Sequence, residues 1–125
     1  MTYYAGHTIL YCKMVDKAQP DPTGSLLLEL RRGVLVLGVL AQLRRDAYGY
    51  ALKRSLAPLG LDIDEGTLYP LLRRLEAQGL LASKWSIEES RPRRYYRISP
   101  KGERLLQSLT AEWRSLTRAL EGVLS

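Results

Sequence analysis

The sequence predicts a mainly helical domain that carries a β-hairpin wing and ends in one long helix. Three observations predict it. Residues 64–98 read as an amphipathic helix, a glycine stop and two short alternating strands. Two further helical stretches precede them, each closed by polar or proline and glycine residues. From Ser99 onward, apolar residues recur every three and four positions.

At 125 residues the chain suits one domain, and 46% apolar with 26% charged residues is ordinary for a folded soluble protein. A formal charge of +6 favours an anionic partner, either nucleic acid or an acidic membrane surface. Cys12 is the only cysteine and His7 the only histidine. An intrachain disulfide is therefore excluded, no His- or Cys-rich metal set can be assembled, and no cofactor is expected. Catalysis is poorly provided for as well. Glu88 and Glu89 are adjacent acids that diverge, and no glycine-rich phosphate loop is present, so an enzyme is not expected. The apolar stretch 26–43 is broken by Glu29, Arg31 and Arg32, short of the roughly 18 to 20 residues a membrane span needs. With no basic, cleavable leader pattern, a cytoplasmic protein without membrane attachment is expected.

Residues 1–24 read as an N-terminal arm and linker, the linker part (DKAQPDPTG) being rich in proline, aspartate and glycine. Tyr3, Tyr4, Ile9, Leu10 and Tyr11 are expected either to pack on the domain or a partner subunit, or to form an extension with no packing role. Ser25 can cap a helix running to about Leu43. Its second half, VLVLGVLAQL, is apolar nearly all round and should be the central buried helix. Asp46 can cap a second helix over 47–57 that Pro58 and Gly60 terminate. On it Leu52 and Leu56 face inward, Lys53 and Arg54 outward.

The third helix has Asp64 as N-cap, Glu65 in its favourable first turn and Gly79 just past its end. Leu68, Leu71, Leu72 and Leu75 form its core face. Thr67, Tyr69, Pro70, Arg73 and Ala77 fill the other, with Arg74 near the edge. Leu81, Trp85 and Ile87 share one strand parity, which places Trp85 in the core beside the second helix, the alternative being an indole that borders a dimer groove. On the return strand Tyr96 and Ile98 point inward, Tyr95 and Arg97 outward, and residues 89–94 (ESRPRR) form the tip between the strands.

Ser99 and Pro100 start the last helix as serine N-cap and first-turn proline. Leu106, Leu109, Trp113, Leu116, Leu120 and Val123 then form a seam of nearly three heptads. So small a domain cannot cover that seam, so residues 99–125 are expected to dimerise the chain symmetrically. Packing on residues 34–43 of the same chain is the alternative.

Three helices followed by a basic hairpin is the order of a winged helix-turn-helix, with residues 25–98 as its reading domain. The implied partner is double-stranded DNA. The third helix enters the major groove, the second crosses near the backbone with Lys53, and the wing reaches phosphates or the minor groove. Arg73 suits bidentate contact with guanine O6 and N7, with Pro70 and Arg74 beside it. Tyr69 can donate to a phosphate or lie on a thymine methyl, or else merely cover the hairpin. Thr67 can bind a phosphate with the free N–H groups of the first turn. Arg91, Arg93 and Arg94 supply sequence-independent phosphate affinity, the alternative being an ordinary solvated turn.

The runs GTLYPLLRRLEAQGLL and RPRRYYRISPKGERLL, with AYGYAL at residues 47–52, resemble the PadR family of bacterial transcriptional regulators. The likeness spans about residues 30–124. It implies a dimeric winged-helix repressor, often of detoxification or efflux genes, released by a small effector. The single C-terminal helix is similar to the short-tailed subgroup. Trp113 falls where some of its members carry a tryptophan facing a pocket at the dimer interface, on which planar aromatic ligands stack. Trp113 also fits a plain seam position. Two departures stand out: Ser90-Arg91-Pro92 replaces a frequent Gly-Gly pair in the wing, and the arm is longer than usual. The competing reading is a winged-helix protein-interaction module without DNA readout, against which the basic wing argues.

Overall fold

The computed structural model describes residues 20–88 and 90–125, and the readings made for Tyr3, Tyr4, Ile9, Leu10 and Tyr11 lie outside them. The element order is α1 (Thr23–Gln42), β1 (Ala47–Tyr48), α2 (Gly49–Leu56), a 3-10 turn (Ala57–Leu59), α3 (Glu65–Ala77), β2 (Leu81–Glu88), β3 (Arg91–Ile98) and α4 (Pro100–Leu124). The strands make one antiparallel sheet in the order β1-β3-β2. The fold is mainly helical with a β wing and a long C-terminal helix, as the patterning predicts.

α1 starts two residues before the expected Ser25 cap. The Asp21 carboxylate accepts from the Thr23 N–H at 3.1 Å and its hydroxyl at 2.7 Å, so the first turn forms there. Ser25 lies inside that turn, its hydroxyl donating to the Pro22 carbonyl at 3.0 Å. The helix is also less buried than its composition predicts. Val39 and Leu40 are fully enclosed, whereas Leu26, Leu27, Leu28 and Leu30 stand in the open. Only the C-terminal end of α1 reaches the core, where it meets Leu52, Leu56, Leu68, Leu72 and Leu75.

Asp46 does not cap the second helix. Ala47 pairs with Tyr96 and Tyr48 with Tyr95, adding a short third strand, and α2 begins at Gly49 with no side-chain cap. The Tyr48 and Tyr95 rings meet edge to face at 5.5 Å. Asp46 instead accepts from Lys84 at 3.2 Å and pairs with Arg97, so its carboxylate ties the start of β1 to the wing. Sheet pairing and two cations outweigh a local cap. Gly60, in the left-handed region at φ 87°, closes the 3-10 turn that holds Pro58.

α3 matches its prediction: Leu68, Leu71, Leu72 and Leu75 are buried, and Gly79, at φ 79°, ends it. The Leu80 N–H reaches back to the Leu75 carbonyl and the Gly79 N–H to Glu76, which satisfies the last turn. The wing differs from expectation in two ways. Glu88 pairs with Arg91, so Arg91, Arg93 and Arg94 are strand residues and not the tip. Trp85 is 67% exposed and Ile87 74%, not core. Their parity is the same as that of buried Leu81, but the hairpin projects past α3, so alternation continues after the core has ended.

Ser99 caps α4 as predicted, accepting from the Gly102 N–H at 3.0 Å, and its own hydroxyl donates to the Gly79 carbonyl at 2.6 Å. Leu106 is 2% exposed and belongs to the core of this one chain, packed with α1, so it is not free for a partner. Leu109 is half-buried against the same cluster. The remaining seam residues, Trp113, Leu116, Leu120 and Val123, are exposed.

Candidate nucleic-acid interface

Asp64 occupies the N-cap position of α3, in extended backbone at φ −81° and ψ 159°, without a side-chain cap bond to a first-turn N–H. Its carboxylate accepts the Thr67 hydroxyl at 2.8 Å, and that bond is the main cause holding the Asp64 carboxyl below the usual range. Thr67 has one O–H to donate. With that O–H engaged by Asp64, the Thr67 hydroxyl has no proton left to donate to another group.

The residues expected on one DNA-facing surface divide over two flanks of α3. Tyr69 and Arg73 line a groove of about 740 Å³ between α2, α3 and the wing, shared with Tyr48, Tyr50, Arg54, Trp85, Arg91, Arg93 and Arg94. Thr67, Pro70 and Arg74 line a second groove of about 420 Å³ against α1, with Arg31, Arg32 and Leu28. Arg31 also donates to the Asp62 carbonyl at 2.6 Å, tying α1 to the segment before α3. Lys53 lines neither groove. Arg54, one position on, takes that place on α2 and lies 5.9 Å from the Tyr50 ring centre.

Tyr69 is half-buried because Gly49 opens α2 beneath it. A Cβ at Gly49 would lie 2.4 Å from Tyr69 Cε1, so the ring occupies the space a side chain would fill. Burial, then the nearby Glu65 and Tyr96, push its phenol up, which keeps the hydroxyl a hydrogen-bond donor. On the wing, the Arg93 guanidinium lies 4.2 Å from the Tyr48 ring centre and is held by that face. Arg94 points to the other side of the sheet, where Glu76 and Ser83 bind it at 2.8 and 3.0 Å. Three arginines that sequence reasoning treats alike therefore have different surroundings. That reasoning passes over Glu76, Ser83, Tyr50 and Arg31. One signal is present: Arg94 shares strand parity with inward-facing Tyr96.

A third groove, about 600 Å³ and strongly apolar, lies between α1 and α4 and is lined by Leu30, Val34, Leu37, Trp113, Leu116 and Leu120 among others. Among the described residues, no helix is long and apolar enough to cross a membrane, and no cluster of three or more His, Cys, Asp or Glu side chains is placed to hold a metal.

Residues 36–108 match the model of the transcriptional regulator PadR-like family. A transcriptional regulator of Mycobacterium tuberculosis is 36% identical over 97 residues, covering 77% of this chain and 88% of its own. A PadR family transcriptional regulator from Eggerthella lenta is similar in structure, with a TM-score of 0.76 at 52% identity over 82% of this chain and 92% of that one. A PadR-like transcriptional regulator from Bacillus cereus gives 0.70 at 27% identity over 78% and 97%.

Proposed function

The chain belongs to the PadR-like family of transcriptional regulators, and from that premise we propose that it is a homodimeric repressor that reads a two-fold DNA operator and is released by a small planar aromatic effector. The observation that carries DNA reading is the exposed face of α3, with Arg73 and Pro70 in the open and arginine-lined grooves on both flanks. Arg73 reads base edges, Tyr69 donates to the backbone or packs on a thymine methyl, and the α3 N-terminus beside Thr67 binds a phosphate. Arg74 and Arg54 extend the contact to either side, and Arg91 and Arg93 supply salt-sensitive affinity from the wing. In this reading residues 25–98 read DNA, and residues 99–125 hold the two copies together.

Dimerisation is supported by the bare seam. Leu116 is 58% and Leu120 51% exposed, sharing a groove with the bare Leu30 of α1. Apolar surface on that scale calls for a partner. Effector release is supported by the apolar groove that Trp113 lines between the same two helices. The reading as a protein-interaction module leaves the arginines of the wing without a task. Fluorescence anisotropy against the gene's own promoter tests the proposal: specific binding that weakens steeply with salt is expected. Equal binding to promoter and random duplex, or none at low salt, would overturn it.

A further inference from the structure

Glu76 lies near the end of α3, on the flank that faces the sheet. One carboxylate oxygen accepts the Ser83 hydroxyl of β2 at 2.5 Å, and the other accepts Arg94 Nη2 of β3 at 2.8 Å. Arg94 Nε donates to Ser83 Oγ at 3.0 Å, which closes a ring of three side chains across the recognition helix and both wing strands. The guanidinium also lies 5.7 Å from the Tyr96 ring centre and 5.9 Å from that of Trp85. All three polar groups are therefore engaged by one another.

This ring sits where the wing leaves the core. On the inner face of the hairpin, Leu81 and Tyr96 are buried, Ser83 is half-buried, and Trp85 and Ile87 beyond it are exposed. Outward of Ser83, among the described residues, the inner face of the strands carries only the exposed Trp85 and Ile87. Their direction is set here and, on the opposite face, by Asp46 with Lys84 and Arg97 and by Tyr48 of β1 against Tyr95 and Arg93. A small change of angle at Ser83 is carried outward along the strands to Arg91 and Arg93. The ring also neutralises Arg94, so a cation that faces the α3 groove is not available to phosphates.

We propose that Glu76 is a positioning residue for operator discrimination: it fixes the angle between the wing and α3 and withholds Arg94 from non-specific phosphate contact. The inference rests on the DNA-reading function proposed above. It adds that selectivity is set partly by an acid that touches no DNA. A partly exposed ion pair contributes little to stability, so the effect of Glu76 should appear in binding selectivity far more than in unfolding.

The test titrates wild type, Glu76→Gln, Arg94→Gln and the double variant against a duplex enriched by selection and against random duplex, across a range of salt. Glu76→Gln is expected to raise affinity for random DNA and to steepen its log–log salt dependence by about 0.9, one further phosphate. The ratio of selected to random binding should fall by about fivefold, and the double variant should return to the wild-type salt slope. An unchanged slope and ratio in Glu76→Gln, or a double variant that keeps the steeper slope, would overturn the proposal. Free of DNA, in a Trp113→Phe background, acrylamide quenching of Trp85 should increase in Glu76→Gln; identical quenching would also overturn it. Should wild type fail to distinguish the two duplexes, the DNA-reading function fails while the Trp85 readout still decides the joint. Should Glu76→Gln unfold, Arg94→Lys, which keeps the charge but not the fork, is expected to show the same loss of selectivity; wild-type selectivity there would count against the proposal.

Discussion

Gly102 and the carbonyl of Leu80 are in contact so close that a Cβ at Gly102 would lie 2.2 Å from the Leu80 oxygen. That oxygen also accepts the Ser99 N–H at 3.0 Å, and the Ser99 hydroxyl holds both the Gly79 carbonyl and the Gly102 N–H. The end of α3, the start of β2 and the N-terminus of α4 are thereby fastened at one point. α3 and α4 cannot turn independently there.

Gly102→Ala should therefore destabilise the fold, because the obstacle is backbone and cannot move aside as a flexible side chain would. A loss of about 1 to 3 kcal/mol or more is expected in urea unfolding. A variant as stable as wild type would mean that α4 can shift on α3 at no cost.

Tyr69→Ala and Arg73→Ala should each weaken promoter binding by about 1 to 3 kcal/mol in anisotropy titrations while binding to random duplex changes less. Gly49→Ala should reproduce part of the Tyr69 effect by displacing its ring. Promoter affinity unchanged in all three would remove this flank of α3 from the reading surface.

Asp46 gives a pH dependence. The hydrogen bond from Lys84, followed by the charges of Arg97 and Lys84, holds its carboxyl below the usual Asp value. A depressed carboxylate contributes stability that is complete above the unfolded value, about 3.9, and is lost as pH falls through the lower folded value. The Tm difference between wild type and Asp46→Asn should thus be constant above about pH 5 and shrink below about pH 4. A difference that stays constant on acidification would show that Asp46 works through something other than its charge.

The proposed dimer rests on the outer seam. Leu116→Glu with Leu120→Glu should sediment as a folded monomer, since both residues are exposed in the single chain and lie outside its core. Wild type should sediment as a dimer at micromolar concentration. Far-UV circular dichroism checks that the variant remains helical.

Much of this architecture is legible in the sequence where local and tertiary signals agree. Leu68, Leu71, Leu72 and Leu75 mark the buried face of α3, and Ser99-Pro100 marks the start of α4, because cap, period and core all ask for the same thing. The reading fails where distant partners decide. Asp46 has the chemistry of a cap, but Lys84 and Arg97, far along the chain, claim it. Trp85 and Ile87 keep the strand alternation of Leu81 after the hairpin has left the core, and alternation alone cannot say where a core ends. Arg94 sits in a run of arginines that composition treats as one patch, and only its parity with Tyr96 hints at the partner across the groove. Leu106 opens the heptad seam in period yet is consumed by its own chain.

Two copies of α3 held by the tail seam should read a symmetric DNA site. Selection of bound duplexes from a random pool tests it most directly. Two inverted half-sites with centres about one helical turn, roughly 34 Å, apart are expected. No enrichment over the starting pool, or enrichment of a single half-site without symmetry, would contradict the account.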